Sequence, residues 1–282
     1  MPELPEVETV RRGLVREVVG SRVTRVEVGR ERVVRRTSRE ELVARLSGAT
    51  VTEATRRGKY LFLHLDNADR VMVHLRMSGR LLTGRPGEPR PPHTHVVLGL
   101  RDPGGREAEL WFVDPRTFGE VVAYDPVNED LVLPEIARLG PDPLVDGIDV
   151  ARLRAILRST SRPVKVALLD QHLVAGIGNI YGDEILHRAR VSPIRPARDV
   201  NPSQGRRIHA ALHTVLNEAV EAGGSTLRDA QYVDTTGSAG RFQERHRVYA
   251  RGGEPCLSCA RGRVVSAVVG GRTTSWCRSC QR

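Results

Sequence analysis

The feature that most narrows what this chain can fold into lies near its end, where Cys256-x2-Cys259 is followed after seventeen residues by Cys277-x2-Cys280. All four cysteines of the 282 residues are spent there. Two close pairs at this separation have zinc-ribbon spacing, and four thiolates close a tetrahedral site with no open position for a substrate. One structural Zn2+ is therefore expected. Between the pairs, Val264-Val265-Ser266-Ala267-Val268-Val269 followed by Gly270-Gly271 reads as strand then turn, so the finger should be a β-hairpin. A redox pair of CxxC motifs is the rival reading, but no thioredoxin-like βαβ pattern surrounds these cysteines.

The finger is also basic. From Arg241 to Arg282 nine arginines stand against Glu244 and Glu254, a net +7 out of +10 for the chain. Such a balance points to a polyanionic partner. No apolar run has signal-peptide length, and none approaches the roughly 20 residues of a membrane span. A cytoplasmic location and no membrane partner are expected. Lys and Arg total 44, yet only Lys59 and Lys165 are lysines. They either mark sites that need a compact, deprotonatable ammonium or are chance survivors in an arginine-rich chain.

Organisation follows from periodicity. Leu4, Val7, Val10, Leu14, Val15 and Val18 recur at helical spacing, so a helix should begin within a few residues of Pro2. Strand patterns come next at Arg22–Val28, Tyr60–Leu65, Arg70–Leu75, His95–Leu100 and Glu109–Val113, interrupted by a short helix capped by Ser38 with Glu41. The helical patterns do not alternate with the strands, which argues against a parallel βαβ fold. The class is α+β. An N-terminal β-sandwich with flanking helices is expected over 1–132, a Pro- and Gly-broken linker over 133–148, a helical domain over 149–241 and the zinc finger over 242–282. In the helical part, Asp149 caps one helix, Pro163 opens another through Leu168, Ile180–Ala189 forms a third, and Asn201-Pro202-Ser203-Gln204 starts a fourth.

Met1-Pro2-Glu3-Leu4-Pro5-Glu6 admits two readings. Pro-Glu is a good first helical turn. If Met1 is trimmed, however, Pro2 carries a free secondary amine able to attack an electrophilic carbon, with Glu3 or Glu6 beside it to move protons. MPELPEVETV, together with Leu173-Val174-Ala175-Gly176-Ile177-Gly178-Asn179-Ile180-Tyr181 and the four-cysteine finger, resembles the bacterial formamidopyrimidine-DNA glycosylases over essentially the whole chain. The resemblance implies a bifunctional DNA glycosylase and abasic-site lyase of base excision repair. Such an enzyme excises 8-oxoguanine and formamidopyrimidines and cuts the strand by β,δ-elimination. An endonuclease VIII-like enzyme for oxidised pyrimidines and a damage-binding module without chemistry are the alternatives.

What the resemblance implies for residues is specific. Pro2 is the nucleophile, Glu3 the proton shuttle, and Lys59 assists near the scissile sugar while also being the rival imine former. Arg272, at the tip of the finger, grips phosphates beside the lesion. Asn179, at the start of the last helix of a helix–two-turn–helix element, holds a phosphate, and Lys165 and His74 contact the DNA backbone. Met77, Arg116 and Phe118 fill the gap left by an extruded nucleotide, a step that costs a few kcal/mol of stacking. The loop from Gly223 to about Arg241 closes over the base. The partner is double-stranded DNA carrying oxidised bases or abasic sites, met by a monomer.

Overall fold

In the computed structural model residues 1–227 and 231–282 are described, and they form two compact units. The first comprises Met1–Ala137 and Ala222–Gln243, the second Arg138–Glu221 and Glu244–Arg282. Among the described residues no helix is long and apolar enough to cross a membrane.

The first unit opens with α1, Leu4–Glu17, capped by Glu3. Leu4, Val7, Val10 and Leu14 fall on one helical face and are no more than 1% exposed. Burial on that scale is worth about 2 kcal/mol per side chain, which fixes the helix, and the chain start with it, to the sandwich. The strands β1 (Arg22–Val28), β2 (Val51–Arg57), β3 (Tyr60–Leu65), β4 (Arg70–His74), β5 (Arg80–Gly84), β6 (Thr94–Arg101), β7 (Glu107–Val113) and β8 (Glu120–Tyr124) make two antiparallel sheets. Their orders are β1-β6-β7-β5 and β2-β3-β4-β8. Alternation places Leu61 and Leu63 of β3, Val71 and Val73 of β4, and Val121 and Ala123 of β8 in one core with Val96, Leu98, Leu110 and Phe112 of the other sheet. Between β1 and β2 lies α2, Arg39–Leu46, whose Ser38 hydroxyl accepts from Glu41 N at 3.0 Å. Two single-turn helices, α3 (Glu129–Val132) and α4 (Pro134–Ala137), end this stretch. The division at Ala137/Arg138 falls inside the broken stretch 133–148.

The second unit contains α5 (Val150–Arg158), α6 (Val164–Leu169), α7 (Asn179–Arg188), α8 (Pro202–Glu221) and the hairpin β9 (Val264–Val269) with β10 (Arg272–Cys277). Asp149 accepts from Arg152 N at 2.7 Å and so caps α5. Asn201 and Gln204 bond reciprocally, side chain to backbone, at 2.9 and 3.0 Å, a capping box that starts α8. The buried face of α8, including Ile208, Leu212, Val215 and Leu216, packs against α5 and α7. In the hairpin, Arg272 pairs with Val269 across Gly270-Gly271, both glycines at positive φ, as a two-residue turn demands.

One expectation changes. Residues 222–241, expected to continue the helical domain, and 242–243, expected to open the finger, belong to the first unit instead. The reason is a close approach at Gly224, where φ is +78° and a Cβ would lie 2.7 Å from Glu6 Oε1. Only glycine lets that backbone sit against the first turn of α1.

Candidate functional site

The chain start is held by carboxylates. Glu3 N donates to Glu6 Oε2 at 2.8 Å, and the other Glu6 oxygen accepts Ser225 N at 2.7 Å. Tyr232 is buried and its hydroxyl donates to Gly223 O at 3.0 Å. Ser225 is thus held to the first turn of α1, while Tyr232 is tied to Gly223 of its own segment with its hydroxyl also 3.4 Å from Glu6 O. Residues 228–230, part of the loop expected to close over a base, lie outside the described residues. Pro2 and Glu3 are buried, whereas Met1, attached to the proline nitrogen, is exposed.

A second clamp brings Lys59 to the same helix. Glu8 on α1 binds Arg11 and Arg12, each at 2.9 Å, and Arg56 Nε at 3.3 Å. Arg56 in turn donates from Nη1 to Gly58 O at 2.8 Å, inside the Gly58-Lys59 turn that joins β2 to β3. Burial pushes the Glu8 carboxyl up, but the hydrogen bonds from Arg11 and Arg12, with the charges of Arg11 and Arg56, outweigh it and hold the pKa at about 2. Lys59 itself is 6% exposed.

His74 ends β4 opposite Tyr60, its ring edge-on to the tyrosine at 4.4 Å. Burial, reinforced by the charges of Arg76 and Lys59, lowers its pKa to about 3, so the imidazole is neutral. Nδ1 accepts Arg76 N at 2.9 Å, which leaves the ring proton on Nε2 and makes that nitrogen a donor.

Two loops leave the sheets beyond His74 and Val113 and are tied together by one carboxylate. Asp114, fully buried, accepts Ser78 Oγ at 2.5 Å, Arg116 N at 3.1 Å and Gly119 N at 2.7 Å. Above this hub Met77 is 41% exposed and Phe118 38%, which decides against core roles for both. The Arg116 guanidinium lies 4.9 Å from the centre of the Phe118 ring. Arg76 and Thr117, each one residue before an exposed apolar side chain, both have φ of +52°. Such strain costs roughly 1 kcal/mol per residue and persists where surroundings enforce it. Here Asp114 bonds both neighbours of Thr117's turn, while Glu120 accepts Arg76 Nη2 at 2.7 Å. No local pattern around Asp114 or Glu120 announces these tasks, since the partners are remote in sequence.

In the second unit, Gln171 fastens the turn before α7 by accepting Gly176 N and donating to Ile177 O, both at 2.9 Å. Asn179 opens α7, its Nδ2 donating to Thr273 O at 3.0 Å while Oδ1 has no partner among the described residues. Lys165 corrects an expectation. It is 1% exposed, with Nζ 2.6 Å from Asp183 Oδ1 and bonded to Thr274 Oγ1 at 2.9 Å and Thr273 O at 3.1 Å. An ammonium so enclosed has no access to a phosphate; it braces α6 and α7 against β10. Burial drives the Asp183 carboxyl up, to about 7, against the pull of that ammonium. Arg272 and Arg278 are exposed on the finger.

The four cysteines converge. Their sulfurs lie within 4.8 Å of one another, with Cys256 to Cys280 at 3.7 Å and Cys259 to Cys277 at 3.8 Å. A disulfide would need about 2.05 Å. Tetrahedral metal–sulfur bonds of about 2.3 Å place sulfurs about 3.8 Å apart, so the cluster has the dimensions of a metal site.

Fold and side chains together define an α+β protein in which a sandwich carries the chain start and a helical unit carries a basic four-thiol hairpin. Two family profiles match it: "Formamidopyrimidine-DNA glycosylase N-terminal domain" over residues 1–121 and "Formamidopyrimidine-DNA glycosylase H2TH domain" over 139–231. The formamidopyrimidine-DNA glycosylase of Bacillus subtilis is 42% identical over 284 residues, covering 100% of this chain and 99% of that one. The MutM (Fpg) crystal structure from Thermus thermophilus is 42% identical with a TM-score of 0.86, covering 99% of this chain and 98% of the other. A Lactococcus lactis Fpg mutant in complex with DNA containing Fapy-dG is 34% identical with a TM-score of 0.89, each chain fully covered. The chain belongs to the formamidopyrimidine-DNA glycosylase family.

Proposed function

We propose that this protein is a DNA glycosylase and abasic-site lyase that removes oxidised purines, 8-oxoguanine and formamidopyrimidines, from double-stranded DNA in the cytoplasm, acting as a monomer. The observation that carries this reading is the arrangement on the first unit. A proline next to the chain start is clamped to α1 by Glu6, and beyond β4 and β7 two braced loops expose an apolar residue each and one stacked arginine.

Removal of Met1 frees the Pro2 nitrogen, whose lone pair attacks C1′ while the base departs with its electron pair and takes up a proton. Loss of the proton on nitrogen and opening of the sugar ring, with Glu3 passing protons, gives an iminium. That cation acidifies C2′. Loss of a C2′ proton expels the 3′ phosphate, and a second proton loss through the conjugated system expels the 5′ phosphate. Lys59 stabilises the developing negative charge as a nearby ammonium. Met77 and Phe118 occupy the vacated stack and Arg116 faces the orphaned base. His74, through Nε2–H, Asn179 and Arg272 hold phosphates. Lys165 acts at one remove, by positioning β10.

Cys256, Cys259, Cys277 and Cys280 would hold one zinc ion. Its sulfur shell is full, so it supplies rigidity to the finger that carries Arg272.

Borohydride trapping on duplex DNA with an abasic site tests the proposal. Met-free protein should yield a covalent adduct at Pro2, and Pro2→Gly should bind the duplex with most strand cleavage lost. Absence of any adduct from Met-free protein would sink the enzyme reading, and an adduct mapped to Lys59 would move the nucleophile there.

A further inference from the structure

The helix that begins at Asn179 carries a row of buried polar groups directed at the finger. Asp183 accepts Ser275 N of β10 at 2.9 Å. Glu184 accepts the backbone amides of Arg247, Val248 and Tyr249 at 2.8 to 3.0 Å. One turn further, His187 is 4% exposed and its Nε2 lies 3.7 Å from Cys256 Sγ. His187 stands four residues from Asp183 and three from Glu184, so it neighbours each of them on the helix surface, and each of the three fastens a different part of the finger. The first two ends are accounted for by backbone hydrogen bonds. The third reaches the sulfur cluster itself, and His187 lies outside the four-residue ligand group.

We propose that His187 donates its Nε2–H to the Cys256 thiolate and is a positioning residue of the metal centre, joining it to α7. The inference rests on the zinc reading above. Four thiolates around a divalent cation leave a net double negative charge, and donors to sulfur spread it and fix the direction of the sulfur lone pairs. Cys256 already receives Ser258 N at 3.4 Å, a donor from its own loop. His187 adds one from the helix that also carries Asn179. A sulfur gripped from both sides is tied to the helical unit whether or not the hairpin flexes, so loss of the metal and undocking of the finger are coupled.

The experiment measures zinc directly. Metal analysis of the purified wild-type chain should give one zinc per molecule; none would sink the zinc reading by itself. Given zinc, its release to a colorimetric chelator should be 10- to 100-fold faster, roughly the range for loss of an outer partner, in His187→Phe, which fills the site without a donor. His187→Gln, whose amide reaches a similar point, should restore a rate near the wild type's. Equal rates for Phe and wild type, or for Phe and Gln, overturn the proposal. Should the Phe variant fail to fold, nitrogen-15 spectra of histidine in the zinc-loaded wild type decide. A protonated Nε2 on His187 supports the donor, and an unprotonated one overturns it. Zinc-edge absorption finding a nitrogen in the first shell would overturn it too, by making His187 a ligand.

Discussion

Glu8→Gln tests how the start of α1 is fixed to the turn bearing Lys59. Glu8 is 8% exposed and binds Arg11, Arg12 and Arg56, and its pKa is held at about 2 against an ordinary 4.5. A displacement of about 2.5 units corresponds to about 3 kcal/mol favouring the folded, ionised form. Because the folded value is depressed, that stability is fully present above pH 4.5 and is lost as pH falls from 4.5 through about 2. Glutamine keeps the shape and cannot ionise. The wild type should therefore exceed Glu8→Gln by about 3 kcal/mol at pH 7, and the gap should close as pH approaches 2. Other carboxylates titrate alike in both proteins and cancel in the difference. Of the two tryptophans, Trp111 lies in the first unit and Trp276 in the second. A Trp276→Phe background thus lets urea unfolding followed by fluorescence report on the first unit alone, which a two-unit protein requires. A gap that stayed constant between pH 6 and pH 2.5, or fell below about 1 kcal/mol at neutrality, would refute the charge argument.

Three further substitutions separate bracing from contact. Asp114→Ala leaves Ser78 Oγ and the amides of Arg116 and Gly119 without their acceptor, at about 1–3 kcal/mol for each group kept from water. The first unit should lose about 3 kcal/mol or more by Trp111 fluorescence, and a loss under about 0.5 kcal/mol would show that the two loops hold their form unaided. Lys165→Met strands a buried Asp183, at about 3–5 kcal/mol in the second unit, without removing a phosphate contact. Its DNA affinity should therefore fall with an unchanged salt slope, whereas Arg272→Ala should flatten the slope by about 0.9; a flattened slope for Lys165→Met would restore it to the phosphates.

Local chemistry was legible in the residues. Ser38 and Asp149 cap the helices that their spacing predicts, because a cap needs only a side-chain oxygen two or three residues before the amides it serves. Arg22–Val28 and Tyr60–Leu65 are strands over the expected spans, since alternation and β-branching are properties of a single segment. Three strands were harder to see: β2 is largely polar, β5 is a short edge, and β8 follows directly on the Asp114 loop. The four-cysteine cluster was readable because a metal site encodes its own geometry in spacing.

The sequence by itself determined the α+β class, the caps, the thiolate set, the basic finger and the family, all of which depend on residues close together in the chain or on fixed motifs. Tertiary structure alone decided that Lys165 faces Asp183, Thr273 and Thr274 instead of solvent. It also decided that Asp114 joins two loops and that 222–243 returns to α1. The physical reason is that an ionic or polar group takes its role from whatever partner burial brings within hydrogen-bonding distance. Thr273 stands 108 residues from Lys165 and Ser225 stands 219 from Glu6, separations across which no local pattern can name a partner.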